Sequence, residues 1–177
     1  MNEKTLVLLK PDTVSKGLIG DVVSRFEKVG LKIVGMKMLK ADDNIASNHY
    51  QITEEWAIPL FNKTKEGFEK SGKEFSYSDP MEYGNMIQSW NRSYLKEGPV
   101  VALAIEGPHA VQIVRKIVGH TEPRQALPGT IRGDFIYDSY TLANNDQRAI
   151  RNLIHASGDV DEAKRELNLW FKESDLC

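Results

Sequence analysis

Residues 5–10 form an almost unbroken apolar stretch that ends at Lys10-Pro11-Asp12. Because proline fixes its φ and lacks an N–H, the pattern predicts a strand stopping at a cationic tip. In residues 17–29, Ile19, Val22, Phe26 and Val29 recur at helical spacing and Gly30 supplies a C-terminal stop, which predicts a helix. Residues 31–39 place Ile33, Val34, Met36 and Met38 in a second strand, and residues 42–58 read as a helix broken by Pro59. The apolar run at residues 100–105 predicts a central strand covered on both faces. Gly107-Pro108 is expected to open the next helix, with Ala110, Val111, Val114, Ile117 and Val118 as its buried stripe and Gly119 as its end. Residues 119–132 read as a loop and residues 135–140 as a fourth strand. Residues 159–171 form an amphipathic helix with Val160, Ala163, Leu167 and Trp170 on one face, opened by Asp159 and Glu162 at capping-box spacing.

Two β-α-β units in one chain predict an α/β (α+β) fold of the ferredoxin-like, split βαβ kind: a four-stranded antiparallel sheet with helices packed on one face. The 177 residues fit a single domain over residues 1–177. Between residues 63 and 80, eight of eighteen positions are charged against 27% for the whole chain, and Gly67, Gly72 and Pro80 interrupt any pattern. This belongs to a charged surface insertion at about residues 60–97, and a smaller one is expected at about residues 137–149.

With 23 basic and 25 acidic residues the net charge is −2, which provides no broad attraction for nucleic acid or anionic lipid. An anionic ligand therefore has to be caught by local cations. The single cysteine, Cys177, excludes an internal disulfide and a Cys-based metal site. Together with an N-terminal apolar stretch of only residues 6–9, too short for a signal segment, and no run long enough to span a membrane, it predicts a cytoplasmic protein.

Familiar nucleotide motifs are absent. Residues 67–74 match a phosphate-cradling loop until Glu74 stands where a Ser or Thr would meet magnesium, and no apolar strand precedes them. No Gly-x-Gly-x-x-Gly occurs, and the aromatic strand signature of RNA-recognition sheets is missing. Of the four histidines, His49, His109 and His120 lie in settings that suggest ordinary surface roles. His155 stands apart, between Arg151-Asn152-Leu153-Ile154 and Ala156-Ser157-Gly158, just before a helix start where anions are favoured. A neutral imidazole is a competent nucleophile, and an unperturbed pKa of about 6.5 leaves most of it neutral at pH 7. Glu166, at the margin of the last helix's apolar stripe and four residues from Glu162, is poorly placed for stability alone. It and Ser157 are candidates to orient the ring. Lys10, Arg115 and Arg132 are candidate phosphate partners, since phosphoryl transfer depends on cations around the phosphate oxygens.

Leu8-Leu9-Lys10-Pro11-Asp12, Gly129-Thr130-Ile131-Arg132-Gly133-Asp134-Phe135 and Arg151-Asn152-Leu153-Ile154-His155-Ala156-Ser157 together resemble the nucleoside diphosphate kinases. Gly17-Leu18-Ile19-Gly20, Val34-Gly35-Met36-Lys37, Gly98-Pro99-Val100-Val101-Ala102 and Leu169-Trp170-Phe171 extend the resemblance almost end to end. It implies ping-pong transfer of the γ-phosphate of ATP or another nucleoside triphosphate to a nucleoside diphosphate through a phosphohistidine at His155, supported by Glu166 and Ser157. It also implies nucleotide contacts from Lys10, Tyr50, Arg115, Thr121, Arg132 and Asn152, and a base stacked on an aromatic, for which Phe61 is preferred to Trp56. Mg²⁺ is expected to arrive with the nucleotide, with no protein metal site, and a homo-oligomer, hexamer or tetramer, is implied. The excursion after His49-Tyr50 and the length of residues 137–149 depart from the compact family pattern. An altered lid there leaves open a second reading, a catalytically weak nucleotide-binding regulatory protein of the same fold.

Overall fold

The computed structural model describes residues 2–70, 72 and 74–177. In chain order the elements are β1 (Asn2–Leu9), α1 (Pro11–Ser15), α2 (Ile19–Glu27), β2 (Lys32–Lys40), α3 (Asp43–His49), α4 (Glu54–Lys70), α5 (Pro80–Lys96), β3 (Pro99–Pro108), α6 (Ala110–Val118), α7 (Ile131–Phe135), α8 (Tyr140–Asn145), β4 (Ile154–Ala156) and α9 (Val160–Trp170). The strands form one sheet in the order β2-β3-β1-β4, with every neighbouring pair antiparallel. The expected four-stranded ferredoxin-like sheet is borne out.

The helices cover both faces of that sheet, where one had been expected. The cause lies in β1 and β3, whose consecutive residues are apolar and so supply two buried faces. Val7, Leu9, Val101, Leu103 and Ile105 pack with Val22 and Phe26 of α2 and Val114 and Val118 of α6. Leu6, Leu8, Val100, Ala102 and Ala104 face the opposite way, onto Ala46 of α3, Leu95 of α5 and Leu167 and Trp170 of α9. Each fully buried Val or Leu contributes roughly 1.5–3 kcal/mol, so this double-sided core fixes the register on which the loops depend.

Four local expectations are corrected. Residues 135–140 contain no strand: Thr130 caps α7 by accepting the Gly133 N–H, Ser139 caps α8 by accepting the Leu142 N–H, and these caps prevail over strand propensity. The fourth strand is β4, three residues long and hidden from periodicity by its brevity. Gly107 and Pro108 end β3, and α6 begins at Ala110 after His109, whose φ of 52° turns the chain. The helix expected over residues 42–58 is two helices separated at Tyr50, and α4 runs through Pro59. The donor that Pro59 lacks would have met the carbonyl of Glu55, and both residues are exposed, so water can take its place.

The charged excursion is thus largely helical. Phe61 of α4, Phe75, Tyr77 and Tyr83 of α5 form an aromatic cluster, with Phe61 edge-on to Phe75 at 5.1 Å and to Tyr83 at 6.2 Å. The near phosphate loop falls at its tip: residues 67–70 finish α4, while Ser71 and Lys73 lie outside the described residues.

Residues 137–149 are anchored by Asp138, which is only 5% exposed. Its carboxylate accepts from Arg148 Nη1 at 2.7 Å and Nη2 at 3.2 Å, and from the N–H groups of Ser139 at 2.9 Å and Arg151 at 2.7 Å. Asp138→Ala is expected to destabilise the protein by about 3 kcal/mol in urea unfolding, because it strips partners from a cation and two backbone donors. Asp138→Asn should recover part of the loss.

Candidate functional site

β1 delivers Lys10 beside the strand that carries His155. The pairing of Leu8 with His155 and Leu9 with Ile154 sets β4 along the free side of β1. Just ahead of β4 the chain turns at Leu153, a buried leucine with φ of 65°, a conformation that a bulky side chain rarely adopts. Its N–H is accepted by Asp12 Oδ2 at 3.2 Å, and its carbonyl accepts the Lys10 N–H at 2.7 Å and the Thr13 hydroxyl. These bonds hold the strained residue in place and present His155 at the sheet edge.

The His155 side chain is 19% exposed, and its Nε2 lies 2.9 Å from Glu166 Oε1 and 3.0 Å from Oε2. The Ser157 hydroxyl donates to Glu166 Oε2 at 2.6 Å, and its oxygen accepts the Leu6 N–H at 3.3 Å. α9 brings Glu166 here, capped by Asp159, which accepts the Glu162 N–H at 2.8 Å. The returning arm of that box differs from expectation, since Glu162 accepts the N–H of Gly158. An ionised Glu166 fixes the proton of His155 on Nε2 and leaves Nδ1 with its lone pair; among the described residues Nδ1 takes no hydrogen bond.

Burial, and then the positive charges of Lys10, Arg132 and Arg115, hold the His155 imidazole well below its usual pKa, with Glu162 pulling the other way. Burial pushes the Glu166 carboxyl up, opposed in part by the hydrogen bond from the Ser157 hydroxyl. Lys10 is 5% exposed; burial and the neighbouring Arg132 bring its pKa down to about 7. Its ammonium donates to Asn152 Oδ1 at 2.8 Å and sits 4.8 Å over the Tyr94 ring. Asn152 Nδ2 donates to the Thr121 carbonyl at 3.0 Å. Arg132 donates through Nε to the Asn152 carbonyl at 3.1 Å, through Nη1 to that of Gly119 at 2.9 Å and through Nη2 to that of Ile154 at 2.6 Å. Three of its five N–H bonds are therefore structural, leaving two for an anion.

The whole chain matches known proteins. The nucleoside diphosphate kinase family model covers residues 3–75 and 82–176. A nucleoside diphosphate kinase of Pyrobaculum aerophilum is 43% identical over 178 residues, which span 98% of this chain and 97% of that protein. One of Borreliella burgdorferi is 40% identical over 98% of this chain and 90% of its own length. The chain belongs to the nucleoside diphosphate kinase family. Among solved structures, an NDP kinase from Pyrobaculum aerophilum superposes with a TM-score of 0.94 at 42% identity, covering 99% of both chains. A transition-state mimic of the Borrelia burgdorferi enzyme with bound vanadate and ADP superposes at 0.80 with 38% identity, covering 99% of this chain and 90% of that one. Nucleoside diphosphate kinases are phosphotransferases, and the excursion does not set this chain apart from its Pyrobaculum relative, whose length it matches.

Of the residues that the family resemblance singled out, Lys10, Asn152, Arg132, His155, Ser157 and Glu166 are brought together. Arg115, exposed in the last turn of α6, and the half-buried Tyr50 adjoin them, and both act electrostatically on Arg132. Thr121 is exposed and joined to the group through its carbonyl. Phe61 is 7% exposed and its ring is enclosed by the excursion's own aromatics, a packing role that leaves little of it for a nucleobase. His49 is corrected: it is buried at 5% exposure against His155, where a surface role had been expected. Sequence reasoning also missed Asp12 and Leu153. Asp12 stands in the Lys-Pro-Asp string, whereas nothing local marks Leu153 for a left-handed turn.

His49, His155 and Glu166 each offer a ligand atom, all within 4.8 Å of one another. Two imidazoles and one carboxylate suit a transition metal better than Mg²⁺, which prefers oxygen, and the carboxylate is already engaged by Ser157 and His155. Among the described residues no helix is long and apolar enough to cross a membrane.

Two outcomes follow from the electrostatics. The Lys10 pKa is lower in the folded state than in the unfolded one, so its charge destabilises the fold fully below about pH 7 and ceases to matter as the pH approaches 10.5. Lys10→Met should therefore raise the unfolding free energy by on the order of 3 kcal/mol at pH 6 and by much less at pH 10, read by urea titration. His49 and His155 also have depressed folded-state values, so their contribution to stability is complete above about pH 6.5 and declines below it as the unfolded chain takes up protons. His155→Gln should make the acid decline of the melting temperature shallower.

Proposed function

We propose that this chain is an active nucleoside diphosphate kinase working by a ping-pong mechanism through a phosphohistidine on His155 Nδ1. The observation that carries the reading is an imidazole whose Nε2 is tied to a buried carboxylate beside the buried cations Lys10 and Arg132. The Nδ1 lone pair attacks the γ-phosphorus of a nucleoside triphosphate, the bond to the β,γ-bridging oxygen breaks, and the diphosphate leaves with that electron pair. The Nε2–H remains hydrogen-bonded to Glu166, whose negative charge balances the imidazolium character of the phosphorylated ring. Reversal onto a different nucleoside diphosphate completes the cycle. Lys10, Arg115 and the two free N–H groups of Arg132 neutralise the phosphate oxygens, while Tyr50, Thr121 and Asn152 line the nucleotide. The relative solved as a transition-state mimic with bound vanadate and ADP supports a reaction of this class in the shared fold.

Mg²⁺ enters as part of the nucleotide substrate, held by phosphates and water, which accords with the nitrogen-rich donor set around His155. The exposed edge of β2, where Met36 and Met38 are 51% and 57% exposed, supports a homo-oligomer, hexamer or tetramer.

Incubation with γ-labelled ATP and Mg²⁺ is expected to give an acid-labile, alkali-stable phosphoprotein that added GDP or CDP discharges, and His155→Ala should abolish the label. Label persisting in that variant overturns the nucleophile. A wild-type protein that binds ATP without labelling favours the regulatory reading.

A further inference from the structure

His49 combines features that packing alone does not explain. Its side chain is fully buried beside that of Glu166. Its ring stands edge-on to three aromatic neighbours: His155 at 4.4 Å and 84°, Tyr50 at 4.6 Å and Trp170 at 5.7 Å. A phenylalanine would make those contacts without burying two nitrogens. One of these, Nε2, is buried with no hydrogen-bond partner among the described residues, an arrangement that costs roughly 1–3 kcal/mol.

The other nitrogen gives the residue its direction. The Trp170 indole N–H, which can only donate, points at His49 Nδ1 from 3.4 Å, so Nδ1 carries a lone pair and the proton resides on Nε2. That same Nδ1 lies 3.4 Å from Glu166 Oε1, the oxygen that faces His155 Nε2 at 2.9 Å. The charged and titratable groups around His49 are Glu166 and Arg165 of α9, His155 of β4 and Lys10 beyond β1, with Tyr50 next in the chain. Arg92 of α5 is directed at the Tyr50 carbonyl and holds that turn. Burial and the surrounding cations keep His49 neutral.

We propose that His49 is a positioning residue for phosphoryl transfer, acting through Glu166 and the His155 ring to keep Nδ1 of His155 as the nucleophilic nitrogen. The His49 Nδ1 lone pair faces Glu166 Oε1 without bonding it and repels it, so that the carboxylate stays directed at the Nε2–H of His155 and the imidazole retains a single tautomer. His49 touches no phosphate and belongs to no step of bond making. The inference rests on His155 as nucleophile.

The test compares His49→Phe, which keeps the ring and removes the nitrogens, with His49→Asn, whose amide places a polar atom near the Nδ1 position. His49→Phe should slow phosphorylation by ATP at least about tenfold while the nucleotide Kd stays within about twofold, and His49→Asn should recover to within about threefold of wild type. Nitrogen-15 NMR of the free enzyme should show one His155 tautomer in the wild type and a mixture in His49→Phe. A His49→Phe protein with the wild-type rate and tautomer overturns the proposal, as does an Asn variant as slow as the Phe variant. If His49→Phe does not fold, Trp170→Phe, which removes the indole donor, is expected to slow labelling and mix the tautomers; an unchanged rate and tautomer overturns the proposal equally. Failure of the wild-type protein to label at all would instead remove the phosphohistidine reading itself.

Discussion

Holding positive charge in a place with little water is the constraint around which the functional end of this protein is arranged. Lys10 and Arg132 are both buried, and burial disfavours the charged form of each. The fold offsets this with neutral oxygens: the Asn152 amide for the lysine, and three main-chain carbonyls for the arginine. Carbonyl dipoles compensate only part of the lost hydration, so the pocket remains electrostatically incomplete. Under the proposed function a polyphosphate would complete it, with the cations already in place for negative charge that shifts between oxygens during transfer.

The sheet makes that arrangement possible. β1 is central, with β3 on one side and β4 on the other, and its C-terminal end is where Lys10 meets the backbone of Leu153. A β4 of three residues has little cohesion of its own. Its position comes from β1, from the Arg132 bonds to residues on both sides of Leu153, and from Asp12. Residues distant in sequence thus meet because one doubly buried strand cannot slip without exposing both cores.

The sequence made the sheet legible wherever burial left a long apolar run, as in β1 and β3, and the caps marked α9 well. It concealed β4, because three residues carry no periodicity, and suggested a strand at residues 135–140, where Thr130 and Ser139 instead start helices. At the site, string resemblance singled out Lys10, Arg132, Asn152, His155, Ser157 and Glu166, although no spacing could have joined groups drawn from opposite ends of the chain. His49 looked polar and peripheral because α3 is short and rich in Asp and Asn; its burial depends on α9 packing across it, a long-range contact with no local signature. The family resemblance implies a base-stacking aromatic in the excursion after His49-Tyr50, for which Phe61 is preferred to Trp56; its actual partners, Phe75 and Tyr83, come from a later part of that excursion.

One surface contact ties the helical excursion to the segment leading into β4. Arg151 makes a two-pronged ion pair with Glu97 at the end of α5, and its guanidinium lies 4.4 Å from the Tyr94 ring centroid. Two neighbourhoods of unequal sturdiness therefore share a mooring: a deeply packed sheet and a partly solvated helix pair. An ion pair this exposed contributes only about 0–1 kcal/mol, so it is the weaker hold on residues 151–153, the stronger being their bonds with Lys10, Arg132 and Asp12. The pair therefore sets the direction of Arg151 at the rim of the site, while the depth of the pocket is held by the buried bonds beneath it.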